Sequence, residues 1–220
     1  MEIPKWKRWL SYLMEVHLES SSSEHNEELH VSLSKGRLQL STANAIYSYA
    51  DKYENFYKTF EQVELNEKVD DVLILGFGLG SIPYMLESKF GKKYRYTGVE
   101  LDDEVIYLAS KYVLSDLQSD VMLIEADAIN YMHQCTQTFD LICIDIFVDD
   151  QIPEVFLTTE FLHRIKDSLT EHGKVIFNHL ADRPSYGKKA KKYYEEVFYD
   201  VFPRGQYLQV LGNGMMVGNL

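Results

Sequence analysis

The sequence predicts an α/β fold built on a doubly wound, mostly parallel sheet. Apolar runs recur at 72–75, 94–99, 121–125, 139–145 and 174–178, helical patterns at 81–90, 102–114, 126–134 and 154–170 lie between them, and the first run ends in "GFGLG". Strands rich in Val, Ile and Leu and separated by helices are what a parallel sheet covered on both faces requires. With 220 residues and 45% hydrophobic content the chain has enough apolar side chains for a full core.

Ahead of that pattern, Trp6, Trp9, Leu10, Leu13 and Met14 fall at helical spacing with Lys5, Lys7 and Arg8 set between them, which predicts an amphipathic helix over 4–16. Residues 17–41 then read as two or three short strands, broken by a serine-rich turn at 20–23 and by "SKGR" at 34–37. This is a small β-hairpin unit. Beyond the fifth apolar run come a helix near 187–200 and two strand-like runs, "QYLQVL" and "MMVGN", joined at Gly212 to Gly214. They predict a closing antiparallel hairpin.

The formal charge of −12 opposes binding to a polyanion, so no nucleic-acid partner is expected. No run reaches the roughly 18 to 20 apolar residues of a membrane span, and the start lacks the apolar centre of a secretory leader. A cytoplasmic location with no membrane partner follows as the expectation. Cys135 and Cys143 lack CxxC spacing and are expected as buried, reduced thiols. His133, His163, His172 and His179 have no metal-ligand spacing, and no metal is expected. Of these His179 alone falls near the expected site mouth, where it reads as structural or solvent-facing. "KKAKK" at 188–192 reads as a solvated helix face. The tyrosines of "YSYADKYENFYKTF" at 47–60 read as cover for a sheet or a dimer contact, or as the lining of an acceptor pocket.

In a doubly wound sheet the ligand lies at the carboxyl ends of the strands. Gly76, Gly78 and Gly80 follow the first strand, Glu100 ends the second, Asp127 follows the third and Asp145 ends the fourth. Glu100 lies 20 residues beyond Gly80, the distance at which a carboxylate meets both ribose hydroxyls. A dinucleotide fingerprint needs glycine at 81, where Ser81 stands. Asp127 suits an adenosyl sulfonium ligand, whose adenine amino group it can accept from. Alternatively, Glu100 and Asp127 only cap the following helices.

"VLILGFGLGS", "YTGVELDDEVIYLASKY", "LIEADAINYM" and "FDLICIDIFVDDQIPEVFLTTEFLHRIKDSLTEHGKVIFN" follow one another as in the spermidine synthase family of aminopropyltransferases, which this chain resembles over roughly 70–178. The resemblance implies a Rossmann-like fold of the S-adenosylmethionine methyltransferase type, with 1–62 as helix, hairpin unit and helical connector and 63–220 as the nucleoside-binding catalytic domain. It implies S-adenosylmethionine or its decarboxylated form as co-substrate, a small amine as acceptor and a homodimer. By it, Gly76, Gly78 and Gly80 pass beneath the nucleoside, Glu100 with Leu101 lies at the ribose, and Asp127 with Ala128 holds the adenine. Asp145 is the catalytic base, and Gln39, Tyr47, Tyr49, Asp149 and Asp150 are acceptor contacts.

This chain departs from the family pattern at several positions. Leu79 replaces the Asp of the family's GGGDG turn, Val148 stands where its DSSDP-like signature has a second Asp, and Asn44 and Ala45 replace its acidic pair. Three readings follow: an amine-directed transferase with an altered acceptor, a methyltransferase using the intact donor, and a homologue that binds a nucleoside without catalysis.

Overall fold

A computed structural model of the chain describes residues 3–42, 46–48, 50, 53–65, 69–148 and 150–220. Its centre is a seven-stranded sheet of β5 (Asp71–Leu75), β6 (Arg95–Glu100), β7 (Val121–Glu125), β8 (Phe139–Ile144), β9 (Leu169–Leu180), β10 (Gln206–Val210) and β11 (Asn213–Asn219). The strand order is β10-β11-β9-β8-β5-β6-β7. Pairing is parallel from β7 through β9 and antiparallel at β11 and β10. The predicted architecture and closing hairpin are therefore present. The chain runs outward from β5 to β7 and returns at β8, so the order reverses between β5 and β8.

Side chains on alternate positions of the strands feed two cores. Val72, Ile74, Leu141, Cys143 and Ile176 face one way, joined by residues of α2 (Glu54–Gln62), α3 (Ser81–Phe90) and α4 (Asp103–Tyr112). Leu73, Leu75, Ile142, Ile144 and Phe177 face the other, against α5 (Ala128–Gln134), α6 (Thr159–Asp167) and α7 (Pro184–Tyr193). Continuous apolar strands are thus explained by burial on both faces.

The N-terminal part forms a second, antiparallel sheet of β1 (Val16–Ser21), β2 (Leu29–Ser34), β3 (Arg37–Ser41) and β4 (Ile46–Ser48). Leu29, Val31, Leu33 and Leu40 are fully buried and belong to the same core as α2 to α4. Polar anchors fix its orientation. Lys111 Nζ and Tyr112 Oη on α4 both reach the Glu19 carboxylate on β1, at 2.7 and 2.6 Å, and the Ser48 and Ser81 hydroxyls share a buried hydrogen bond of 2.6 Å.

Several element boundaries differ from those the sequence predicts. The first helix, α1 (Lys5–Leu10), stops six residues early because Ser11 is diverted: its carbonyl accepts from Lys35 N–H and its hydroxyl from Gly36 N–H in the β2–β3 turn. Trp6, Trp9, Leu13 and Met14 remain exposed and Leu10 is half-buried, so most of the predicted amphipathic stripe is left uncovered among the described residues. The stretch expected as one helix at 154–170 is a 3₁₀ turn at Glu154–Leu157, then α6, capped by the Thr158 hydroxyl, and the start of β9. The last helix begins at Pro184, which needs no N–H donor in a first turn, and widens into a π-turn at Tyr194–Phe198. The hairpin turn lies at Leu211 and Gly212, both at positive φ, so Asn213 and Gly214 already belong to β11. Cys143 is buried and Cys135 half-buried, and both are free thiols. No helix of the described residues is long and apolar enough to cross a membrane.

Gly98 on β6 admits Phe77 of the glycine turn onto the sheet: a β-carbon there would lie 2.4 Å from Phe77 Cδ2 and 2.7 Å from Leu123 Cδ2. Gly98→Ala is expected to lower stability by about 1–3 kcal/mol through this overpacking, read as a fall in Tm of several degrees by calorimetry.

Candidate active site

The glycine turn and Asp145 flank the point where the strand order reverses, which is where such sheets bind ligands. Leu75 and Ile144 are register partners, and Asp145 N–H donates to Leu75 O at 2.8 Å. Gly76 follows at φ +85°, its N–H held by Val99 O at 2.9 Å. A β-carbon on Gly76 would lie 2.2 Å from Asp145 O, so only glycine lets the two strand ends close on each other. Gly78 and Gly80 also have positive φ, and Gly80 opens α3.

Glu100 ends β6 with its carboxylate drawn back over this turn. Its Oε2 accepts from Gly78 N–H at 3.0 Å, and its Oε1 from Leu101 N–H at 2.9 Å and Asp102 N–H at 3.3 Å. Burial pushes its pKa up, while these three N–H groups pull it part of the way back. Glu100 is therefore not the cap of α4, a role taken by Asp102. Asp127 caps α5 through one oxygen, its Oδ1 accepting from Asn130 N–H at 3.0 Å. Ala128 is buried behind it, and Leu101 is exposed.

The half-buried Asp145 carboxyl has two side-chain donors. Asn178 Nδ2 on β9 donates to Oδ1 at 2.9 Å, and the Tyr53 hydroxyl, just before α2, is a second donor. Burial pushes the Asp145 pKa up to about 6; the two donors lower it and the nearby Glu100 charge raises it. The Tyr53 hydroxyl is in turn raised well above its usual range, chiefly by burial and then by the Asp145 charge.

Of the predicted acceptor contacts, Gln39 and Asp150 are the two whose side chains lie among the described residues. Gln39 is buried in β3, opposite Ser32 in register. Asp150 is engaged by the Tyr186 hydroxyl at 2.6 Å and lies 3.7 Å from Arg183. Tyr49 and Asp149 lie outside the described residues, as do Asn44 and Ala45, and Tyr47 is described in its backbone alone. Leu79 is buried in the apolar core, and Val148 is exposed beside its bridge to Gln151. His179 is structural: it points to the opposite face of β9 from Asn178, stacks on Tyr193 with ring centroids 5.0 Å apart, and is held neutral by burial, its pKa pushed down to about 3.

Groups that sequence reasoning missed complete the site, Asn178 among them. Tyr53 was hidden in a tyrosine-dense run, where no spacing separates it from its neighbours. Ser23 and Asn26, from the loop between β1 and β2, donate to Asp102 Oδ2 at 2.5 and 2.6 Å, while Asp102 Oδ1 caps α4. The serine-rich turn is thereby tied to the residue whose N–H holds Glu100.

Asp102→Ala is expected to cost about 2 kcal/mol or more, because it removes a helix cap and strands two donors. Hydrogen exchange should rise at 22–28 and 100–105 together; a rise confined to α4 would contradict the tether. Asp145 gives a second expectation. The fold disfavours its charged form, so its contribution to stability is complete below about pH 4 and is lost as pH rises through about 6. Asp145→Asn should therefore raise stability near pH 7.5 by on the order of 2–3 kcal/mol and leave it unchanged near pH 3.5, as read by denaturant titration at the two pH values.

The fold has relatives among known proteins. The chain is 28% identical over 131 residues to a polyamine aminopropyltransferase from Vibrio vulnificus, a match taking in 58% of this chain and 44% of that one. The chain thus spans under half the length of that relative. Among solved structures, spermidine synthase from Thermotoga maritima superposes with a TM-score of 0.69 at 18% identity, over 92% of this chain and 72% of that one. Human methyltransferase-like protein 13, in complex with SAH, gives 0.56 at 22% identity, over 71% and 74% of the two chains. The spermine/spermidine synthase domain model matches residues 52–212, which takes in the glycine turn, Glu100, Asp127 and Asp145, and the chain belongs to that family.

Proposed function

We propose that this protein is a spermidine synthase-like transferase that alkylates a small amine from an adenosyl sulfonium donor, with Asp145 as the base. The observation that carries this reading is the placing of two half-buried carboxylates on the two sides of one glycine turn, Glu100 over Gly78 N–H and Asp145 against Gly76. Carboxylates with raised pKa values mark a place for cations, and both the sulfonium and the amine are cationic. Residues 63–220 form the catalytic domain in this reading, and 1–62 the N-terminal helix and β-hairpin unit with its helical connector.

The donor lies across the turn formed by Gly76, Gly78 and Gly80. Three hydrogen bonds from backbone N–H groups leave Glu100 with acceptor capacity for a ribose hydroxyl. Asp127 uses one oxygen for its cap and offers the other to the adenine amino group. Asp145 takes a proton from the acceptor amine, whose freed lone pair attacks the carbon beside sulfur. The carbon–sulfur bond breaks, its electron pair stays on sulfur, and a neutral thioether nucleoside leaves. Since the sulfonium is already a good leaving group, alignment by Tyr53, Asn178 and Asp145 supplies much of the rate.

Leu79 favours one second reading. An apolar residue buried at the turn offers no carboxylate to a donor amine, which suits an intact, carboxylate-bearing S-adenosylmethionine and methyl transfer. Calorimetric titration with S-adenosylmethionine, its decarboxylated form and methylthioadenosine separates the two. Preference for the decarboxylated donor, with methylthioadenosine released in the presence of a diamine or polyamine, is the expected result. Preference for the intact donor selects methyl transfer, and no binding of any of the three overturns both.

The catalytic role of Asp145 has its own check. The kcat/KM for the amine is expected to rise with pH through an inflection near 6, and Asp145→Asn should lower kcat about 10²–10⁴-fold and abolish that inflection. An unchanged rate in the variant would exclude Asp145 as the base.

A further inference from the structure

The closing hairpin reaches the candidate base through one intermediate side chain. Asn178 is 1% exposed, and its amide is bonded at both ends: Nδ2 donates to Asp145 Oδ1 at 2.9 Å, while Oδ1 accepts from Asn213 Nδ2 at 2.8 Å. The two ends of an amide are chemically opposite. Rotated by half a turn, Asn178 would present its carbonyl oxygen to the Asp145 carboxylate, and acceptor would face acceptor. Among the described residues, Asn213 is the group that engages the carbonyl end.

The placement of Asn213 is itself built into the fold. It is the first residue of β11, immediately after the two positive-φ residues Leu211 and Gly212, and is paired in register with Val210 on one side and Leu180 on the other. Its carbonyl accepts from Gln209 Nε2 at 3.2 Å. The side-chain amide is left to turn toward β9.

We propose that Asn213 is a positioning residue, which fixes the Asn178 amide so that its N–H faces Asp145 and keeps that carboxylate ionised at neutral pH. The inference deepens the reading of Asp145 as the base and rests on it for its catalytic meaning. The groups that face Asp145 are Tyr53 from the segment before α2, Asn178 from β9 and Glu100 from β6, with Cys143 two residues earlier on its own strand. Tyr53 and Asn178 favour the charged form, and Glu100 opposes it. Without a fixed Asn178, Tyr53 is left as the remaining donor against burial and Glu100.

The test is the titration of Asp145 in ligand-free protein, followed by NMR of 13C-labelled Asp carboxyls and assigned by loss of the signal in Asp145→Asn. Asn213→Ala should move the midpoint upward by about half to one pH unit, the size expected for one lost hydrogen bond. Gln209→Ala, which touches the Asn213 backbone but not its amide, should leave the midpoint in place. Asn213→Leu, close to Asn in size, carries the same expectation should the Ala variant fail to fold. An unmoved midpoint in the Asn213 variants, or an equal shift in Gln209→Ala, would overturn the proposal. The pH profile of transfer should shift with the midpoint. A shifted midpoint in a protein that turns over none of the donors would support the positioning role and reject the enzyme reading.

Discussion

The site depends on the absence of a side chain at Gly76. The first strand end turns back against the backbone of Asp145, with the space for a β-carbon taken by a carbonyl oxygen 2.2 Å away. Every other part of the site uses that approach. It brings the turn next to β8, lets Gly78 N–H face Glu100, and sets Asp145 beside the same turn. Any other residue would have to separate β5 from β8 at the one place where the strand order leaves a crevice.

Around that fixed point, the N-terminal sheet is more than a cover. Ser23 and Asn26 bind the buried Asp102, which caps α4 and holds Glu100 through its N–H. Glu19 grips Lys111 and Tyr112 on the last turn of the same helix. The hairpin is thus fastened along the length of α4, and Glu100 inherits its position through Asp102 from Ser23 and Asn26, 79 and 76 residues before Asp102 in sequence. Neutral hydrogen bonds alone stabilise weakly, but those to a charged, buried Asp are stronger and directional.

The fold also carries a stored cost. Asp145 and Glu100 are both raised by burial, and the Glu100 charge raises Asp145 further. An inert scaffold would gain stability by neutralising one of them. Tyr53, Asn178 and, one step further, Asn213 instead hold the charged form in reach of neutral pH. Proteins keep such destabilising groups where a cationic ligand or a proton transfer needs them.

What the sequence determined by itself is the set of strand ends. Apolar runs and the helices between them define the parallel sheet, and the sheet requires Gly76, Glu100, Asp127 and Asp145 to share one edge, because consecutive parallel strands all point the same way. The boundaries that went astray lie where a single side chain overrides periodicity, as Ser11 does for α1 and Thr158 for α6. Only the tertiary structure decided which donors meet the carboxylates. Ser23, Asn26 and Asn213 reach their partners across 79, 76 and 35 residues, and Tyr53 reaches Asp145 from an unpatterned segment; a hydrogen bond of that kind leaves no period in the chain. The same reason separates Glu100 from Asp127: both are acids after a strand, and only the path of the following turn makes one a held carboxylate over the glycines and the other a helix cap.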